Sequence, residues 1–318
     1  MGSRTPCIDC KKRSRGKRCV KCHEAFLGGV QRVIVEEAKV APVLVTNPKI
    51  FGDFVIISDP HMPFHDPKTI DKACEASRLL GITSLVIAGD LMQMDAISRY
   101  VNAGKLVRLS QEIISCGGVL HALSGVFDEI HIIMGNHDQR LERFAAALLS
   151  SSEGRKSFEL TAKILDVDEN PESVAYGILH HFFDNEKVKL YPLPQLTVNG
   201  RWIVMHPGSC SRIAPQTERR MVAKFRKPVI GGHNHLFGIG FDESGQDVAA
   251  NIGHCSDSSK MRYIHEKITT FPAMNQGFCC IVRDDTAPHG RIIPIAVHDQ
   301  WFDLAALAKR LGDNVESM

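Results

Sequence analysis

The sequence predicts an α/β fold in which strands and helices alternate and the chemistry collects where strands end. Three observations carry that prediction. Short apolar runs rich in Val and Ile recur at Phe54–Ile57, Ser84–Ala88 and residues 130–134, as strands buried on both faces require. Amphipathic segments of helical length separate them. Each run then gives way to residues able to bind a metal: Asp59 and His61, then Asp90, then Asn136 and His137. In open α/β sheets, that edge is where ligands gather.

The first strand must stop at Pro60, which lacks the N–H that a ladder needs, so Asp59 and His61 stand at its carboxyl end. Asp66 and Pro67 supply an N-cap and first-turn pair for a helix with the apolar stripe Ile70, Ala73, Cys74 and Leu80, and Gly81 stops it. The second strand runs into Gly89-Asp90. A helix over residues 107–124 leads to the third, which ends in Gly135-Asn136-His137-Asp138. Leu141, Phe144, Ala145 and Leu148 give the next helix its apolar face. Residues 150–186 are polar and helical in pattern, and the span 150–190 is expected as a helical excursion or cap. Strand pattern returns at 196–198 and at Trp202–Met205, which runs into His206. Residues 227–230 run into Gly231-Gly232-His233-Asn234-His235. Residues 277–283 and 291–297 are expected as closing strands, and 301–311 as a terminal helix.

A chain of 318 residues can bury a large core, and its 44% apolar and 23% charged residues are those of an ordinary globular protein. No apolar run approaches the ~20 residues of a membrane span, and the basic, Cys-rich start has no secretory apolar core. A cytoplasmic protein without membrane contact is expected. The net charge of +2 hides an asymmetry: residues 1–24 hold eight Lys or Arg against two acids, while the rest holds 30 against 34. A basic head on a mildly acidic body points to nucleic acid as a partner that meets the N-terminus first.

That head contains Cys7, Cys10, Cys19 and Cys22 in the spacing C-x2-C-x8-C-x2-C. Two such pairs let four thiolates converge on one tetrahedral Zn²⁺. So short a segment has no core and would fold only on the metal. The expected organisation is a zinc knuckle at 1–24, a linker at 25–49 and a catalytic domain at 50–318. The six remaining cysteines are scattered and read as small buried apolar residues.

Taken in order, Asp59-x-His61, Gly89-Asp90, Gly135-Asn136-His137-Asp138, His206 and Gly232-His233-Asn234-His235 resemble the calcineurin-like metallophosphoesterase superfamily. Its pattern is D-x-H, GD, GNH[DE], H and GHxH. The resemblance spans residues 50–285 and implies a layered α-β-β-α sandwich around two divalent metals. Asp59, His61, Asp90 and His235 would hold one metal. Asp90, Asn136, His206 and His233 would hold the other, with Asp90 as the bridge. His137 matches the residue that approaches the leaving-group oxygen as proton donor or electrostatic stabiliser, with Asp95 or Asp138 to orient it. The residue types suit the chemistry, because two metals about 3.5–4 Å apart activate a water and clamp the phosphate. Mixed oxygen and nitrogen ligands fit Mn²⁺, with Fe or Zn²⁺ as alternatives.

Departures from the family narrow the substrate. Serine/threonine phosphatases read GDxVDRG and GNHE, whereas this chain reads Gly89-Asp90-Leu91-Met92-Gln93-Met94-Asp95 and ends the next block in Asp138. The arginine and aspartate of that loop are missing, which favours the phosphodiesterase and nuclease branches. A small-phosphoester hydrolase and a non-catalytic scaffold of the same fold are the alternatives. The segment Asn251, His254, Cys255, Asp257, Tyr263, Asn275, Gln276 and Phe278 resembles bacteriophage and prophage members. Arg140, Arg143, Arg212, Lys260 and Arg262 are candidates for phosphate contact.

Overall fold

The computed structural model describes residues 5–6, 13–14, 47–98, 107–183, 185–261 and 274–297. The chain divides into two compact units, residues 1–46 and 47–318. In the first, β1 (Thr5–Pro6) pairs antiparallel with β2 (Arg13–Ser14). The four clustered cysteines, the expected linker up to residue 46 and the expected helix at 301–311 lie outside the described residues.

The second unit holds two six-stranded sheets. In one, β4 (Phe54–Ile57), β5 (Ser84–Ala88) and β6 (Glu129–Ile133) run parallel as neighbours. The hairpin of β13 (Gly277–Asp284) and β14 (Ala287–Ala296) pairs antiparallel to β4 on one side. On the other side β7 (Val188–Tyr191) pairs parallel to β6. The second sheet contains β3 (Lys49–Ile50), β8 (Gln195–Val198), β9 (Trp202–Met205), β10 (Val229–Gly231), β11 (Phe237–Phe241) and β12 (Val248–Ile252). Here β9, β10 and β12 run parallel, so their carboxyl ends share one edge.

Side-chain alternation explains why the strands read as unbroken apolar runs. Phe54, Ile56, Val86, Ala88 and Ile133 pack with Leu196, Val198, Val204, Ile230, Ala250 and Ile252 of the other sheet. Their alternates Val55, Ile57, Leu85, Ile87, Ile130 and Ile132 face outward into a helix-covered core. That core is closed by α1 (Pro67–Leu80), α2 (Leu109–Ser124) and α5 (Pro171–Phe182), through Ile70, Cys74, Cys116, Leu120 and Leu179. On the far face, α6 (Gln216–Phe225) sets Val222 against Ile203, Val229 and Ala249. The result is the expected helix–sheet–sheet–helix layering, with each buried side chain of this size worth ~1.5–3 kcal/mol. The cap of α1 follows the sequence: Asp66 accepts from the Thr69 N–H at 3.2 Å, and Gly81 closes it at φ 65°.

The excursion is shorter than expected. Helices α3 (Arg140–Leu148) and α4 (Ser152–Leu165) join α5 around Ala145, Phe158, Ala162 and Val174. Val188–Tyr191 then returns to the sheet as an edge strand, within the span expected to be helical. A four-residue, half-solvated edge strand leaves only a weak alternation to read. The last strand begins at Ala287 rather than 291, because Asp284 accepts from the Thr286 N–H in the turn and lets pairing continue to its base. Strands β11 and β12 carry two glycines and two alanines respectively, residues of poor strand propensity, and give no signal in the sequence.

Candidate metal centre

The parallel order β4-β5-β6 brings Asp59 and His61, Asp90, and Asn136 and His137 to one edge, and β9 and β10 deliver His206, His233 and His235 opposite them. Backbone bonds lace the loops together: Asp59 N–H to Gly89 carbonyl at 3.2 Å and His61 N–H to Asp90 carbonyl at 3.0 Å. Asp59, His61, Asp90, His233 and His235 all have left-handed backbones, with φ of 52°, 49°, 49°, 80° and 58°. Each such residue costs ~1–2 kcal/mol that glycine would not. Strain of this kind persists only where the surroundings over-determine it, and it clusters at functional sites. Neighbouring glycines leave the room: a Cβ at Gly135 would collide with the Asp90 carboxylate, and one at Gly232 with Ser58 Oγ and Asp59 Oδ2.

The side chains expected as ligands converge in two groups that share Asp90, and His137 forms a further cluster with His61 and Asp90. His61 Nε2 lies 3.0 Å from His235 Nε2 and 3.7 Å from both Asp59 Oδ1 and Asp90 Oδ2. His206 Nε2 lies 3.3 Å from Asp90 Oδ2, 3.1 Å from Asn136 Oδ1 and 3.1 Å from His233 Nδ1. Asp90 Oδ2 thus faces both groups, while Asp90 Oδ1 accepts the His137 N–H at 2.8 Å. Asp59, His61, Asp90, His206 and His235 are all buried. Asp59 Oδ2 accepts from Ser58 Oγ and from the His233 N–H, which leaves Oδ1, 3.2 Å from His235 Nε2, without a hydrogen bond.

This donor set fits divalent cations. The Ala88 carbonyl, 3.0 Å from His206 Nδ1, can only accept, so Nδ1 carries the proton. In the neutral ring Nε2 is then a lone pair aimed at the Asn136 amide oxygen, another acceptor. Lone pairs converging at such distances require a proton or a cation among them. Burial opposes charge on His206, yet the Asp90 and Asp59 carboxylates outweigh it and carry its pKa up to about 10. Burial likewise opposes charge on Asp90, but His206 and His137 hold its carboxyl well below the ordinary range. Carboxylates that stay ionised beside basic imidazoles are ready to exchange protons for metal.

His137 stands at the rim of this centre, with its ring centroid 4.6 Å from that of His61. Its Nδ1 is 2.8 Å from the Gln93 carbonyl and its Nε2 is 3.0 Å from Arg140 Nη2. The two carboxylates expected to orient it are engaged elsewhere. Asp138 accepts from the backbone N–H groups of Leu91, Met92 and Gly135, at 3.2, 3.1 and 2.8 Å, and so ties two site loops together. Asp95 Oδ1 accepts from Gln93 Nε2 at 3.0 Å and pairs with Arg140 at 3.3 Å. Asp138 is held by backbone amides and Asp95 by Gln93 and Arg140, so neither carboxylate accepts a hydrogen bond from the His137 ring. Burial, with Arg140 and His61 acting in the same direction, pushes the His137 imidazole down to about 3.

Sequence reasoning passed over Glu112 and Glu218, and gave Asn251 and His254 no role at the site. Buried Glu112 of α2 accepts the Met94 N–H at 2.6 Å and so pins the loop that carries Gln93. Buried Glu218 of α6 accepts from Asn251 Nδ2 at 2.8 Å, and Asn251 reaches the Gly232 carbonyl at 3.3 Å. The ring of His254 stacks on that of His235 at 5.0 Å. The Ala249-Ala250-Asn251 run has the same apolar-to-polar transition as the other strand ends, a signal muted by its alanines. Of the arginines and lysines expected near phosphate, Arg140 borders the centre. Arg143 and Arg212 are exposed, Lys260 pairs with Asp257 at 3.2 Å, and Arg262 lies outside the described residues.

The calcineurin-like phosphoesterase family matches this chain over residues 52–267. No curated protein matches it in sequence. Among solved structures it is similar to Vps29 of Chaetomium thermophilum, at 10% identity and a TM-score of 0.37, over 77% of this chain and 96% of that one. It is also similar to wild-type Vps29 of Entamoeba histolytica complexed with zinc, at 10% identity and a TM-score of 0.35, over 77% of this chain and 98% of that one. No helix among the described residues is long and apolar enough to cross a membrane.

Proposed function

From a chain that belongs to the calcineurin-like phosphoesterase family, and is thereby a metal-dependent phosphoester hydrolase, we propose an enzyme that cleaves phosphodiester bonds in nucleic acid. One observation carries the choice of a diester over a phosphoprotein. In the loop after β5, Gln93 presents its backbone carbonyl to His137 where the phosphatase pattern has an aspartate, and buried Met94 stands where that pattern has an arginine. The +6 charge of residues 1–24 supports a polyanionic substrate.

In this reading Asp59, His61, Asp90 and His235 hold one divalent ion, and Asp90, Asn136, His206 and His233 hold the other, Mn²⁺ being the favoured metal. Two ions held there supply positive charge for the phosphoryl oxygens and a reactive water at neutral pH. Ser58 and the His233 N–H fix Asp59, and the Ala88 carbonyl sets the His206 tautomer, so that these two ligands are aimed before any ion arrives. In the same proposal the enzyme is a bacteriophage- or prophage-type member of the family, and Cys7, Cys10, Cys19 and Cys22 hold a structural zinc in an N-terminal knuckle.

The proton on His206 gives a first expected result. At pH 7.5 a ring with a pKa of about 10 is protonated, and an ion that takes Nε2 displaces that proton. Calorimetric titration of Mn²⁺ into metal-free protein, repeated in buffers of different ionisation enthalpy, should show about one proton released at this site. Affinity should rise with pH up to the pKa of the metal-free ring, and proton release should vanish in His206→Ala.

The substrate assignment is tested at the N-terminus. A chain beginning near Val40 should hydrolyse a small chromogenic phosphodiester as well as the full protein does. On DNA or RNA it should show a raised KM and a flatter salt dependence, because each lost phosphate contact releases about one counterion fewer. Cys19→Ser with Cys22→Ser should mimic the deletion, since the knuckle needs its zinc. Unchanged affinity and salt slope would reject nucleic-acid contact and favour a small phosphoester as substrate.

A further inference from the structure

His137 is held between two groups whose roles are chemically fixed. The Gln93 carbonyl can only accept, so Nδ1, 2.8 Å away, carries the ring proton. The Arg140 guanidinium can only donate, so Nε2, 3.0 Å from Nη2, is the unprotonated nitrogen. The ring is therefore neutral and has no proton to give from the nitrogen that meets Arg140. A formal charge does sit at that spot, and it belongs to Arg140.

Arg140 is itself held in place. Its Nη1 donates to the Gln93 carbonyl at 2.8 Å, reaches the Met94 carbonyl at 3.4 Å and pairs with Asp95 Oδ1 at 3.3 Å. These contacts occupy one edge of the guanidinium. The Nε–H and the second Nη2 hydrogen meet no acceptor among the described residues. The side chain is 16% exposed, so it is not sealed from solvent. The loop that grips Arg140 is pinned from behind by Glu112, which accepts the N–H of left-handed Met94.

We propose that Arg140 is a further catalytic residue, whose guanidinium donates to the leaving-group oxygen while His137, locked as its Nδ1–H tautomer, positions it. The proposal rests on the placement of the leaving group at His137 and assigns the stabilising charge to a different side chain. Water attacks phosphorus and gives up a proton to solvent, the new P–O bond forms, and the bond to the leaving oxygen breaks. That oxygen takes its proton from solvent while Arg140 holds its negative charge by a hydrogen bond. Arginine keeps its own proton throughout, since its pKa exceeds ~12. The fork geometry lets one guanidinium hold the loop with one edge and the substrate with the other, which a lysine cannot do.

Two measurements test the pair. In metal-free protein at pH 7, long-range ¹H–¹⁵N correlation of His137 should show a neutral ring protonated on Nδ1, and Arg140→Ala should shift that pattern. In the Mn²⁺-loaded enzyme, Arg140→Ala should slow an alkyl-leaving-group diester by about 10²-fold, the worth of one charge-stabilising donor. It should slow a nitrophenyl diester far less, and added guanidinium should restore part of the alkyl rate. Arg140→Lys, which keeps one donor to the loop, should show the same leaving-group dependence without collapse of the fold. A His137 ring protonated on Nε2, or an equal loss on every leaving group with no response to guanidinium, would overturn the proposal. Absence of wild-type turnover on both diesters would instead overturn the phosphodiesterase reading, and the metal-free tautomer would still decide the pair.

Discussion

Asp90→Asn should lower bound metal and reduce phosphodiester turnover by about 10²-fold or more, because in the proposed centre both ions would depend on one carboxylate. The substitution is nearly isosteric, and its amide oxygen can still accept the His137 N–H that Asp90 Oδ1 accepts at 2.8 Å. The loops should therefore stay folded. What changes is Oδ2, which faces His61 Nε2 at 3.7 Å and His206 Nε2 at 3.3 Å. An amide there removes the shared negative charge and turns an acceptor into a donor aimed at two ligand nitrogens. It also removes the first of the two carboxylates that raise His206, so the proton release on metal binding should shrink in this variant. Metal content and turnover are to be measured on the same sample. Near-normal turnover with full occupancy would exclude Asp90 as the bridge.

His137→Ala should keep both ions and still slow hydrolysis of an alkyl-leaving-group diester by up to about 10²-fold, the worth of the Arg140 donor that its ring positions. Its main-chain N–H remains to hold Asp90, so the metal-binding side of the centre is preserved. The lost ring is the contact that sets Arg140 at 3.0 Å, so the deficit should be greatest for poor leaving groups. The double variant with Arg140→Ala should lose little beyond either single one, since coupled residues fail additivity. Equal losses across leaving groups, or loss of metal, would reduce His137 to a structural role.

What the sequence made legible follows from how strongly each element is constrained. Strands β4, β5 and β6 are buried on both faces, so their composition is forced and their ends are sharp. The residues beyond those ends, Asp59 to Asn136, stand together because parallel neighbours end at one edge. Strands β7, β11 and β12 are short, peripheral or rich in small residues, and burial did not force a pattern on them. The partners of His137 were illegible for a different reason. A backbone carbonyl leaves no trace in residue type, so Gln93 looked like a lost aspartate rather than a kept acceptor. Arg140 was legible as a candidate for phosphate contact but not as a partner of His137, because nothing in the sequence shows its guanidinium turning back into the loop after β5. Asp95 and Asp138 were nominated as the carboxylates that close the two motif loops, but Arg140 and backbone amides claim them.

The central claim is tested most directly by turnover of the Mn²⁺-loaded full chain on five substrates side by side. These are a chromogenic phosphodiester, the matching phosphomonoester, single-stranded DNA, double-stranded DNA and RNA. Metal content is to be read on the same preparation. The account predicts two ions per catalytic domain, hydrolysis of the diester well above the monoester, and cleavage of at least one nucleic acid that Asp90→Asn abolishes. Two bound ions with turnover of the monoester alone, or with no turnover of any of the five, would contradict it.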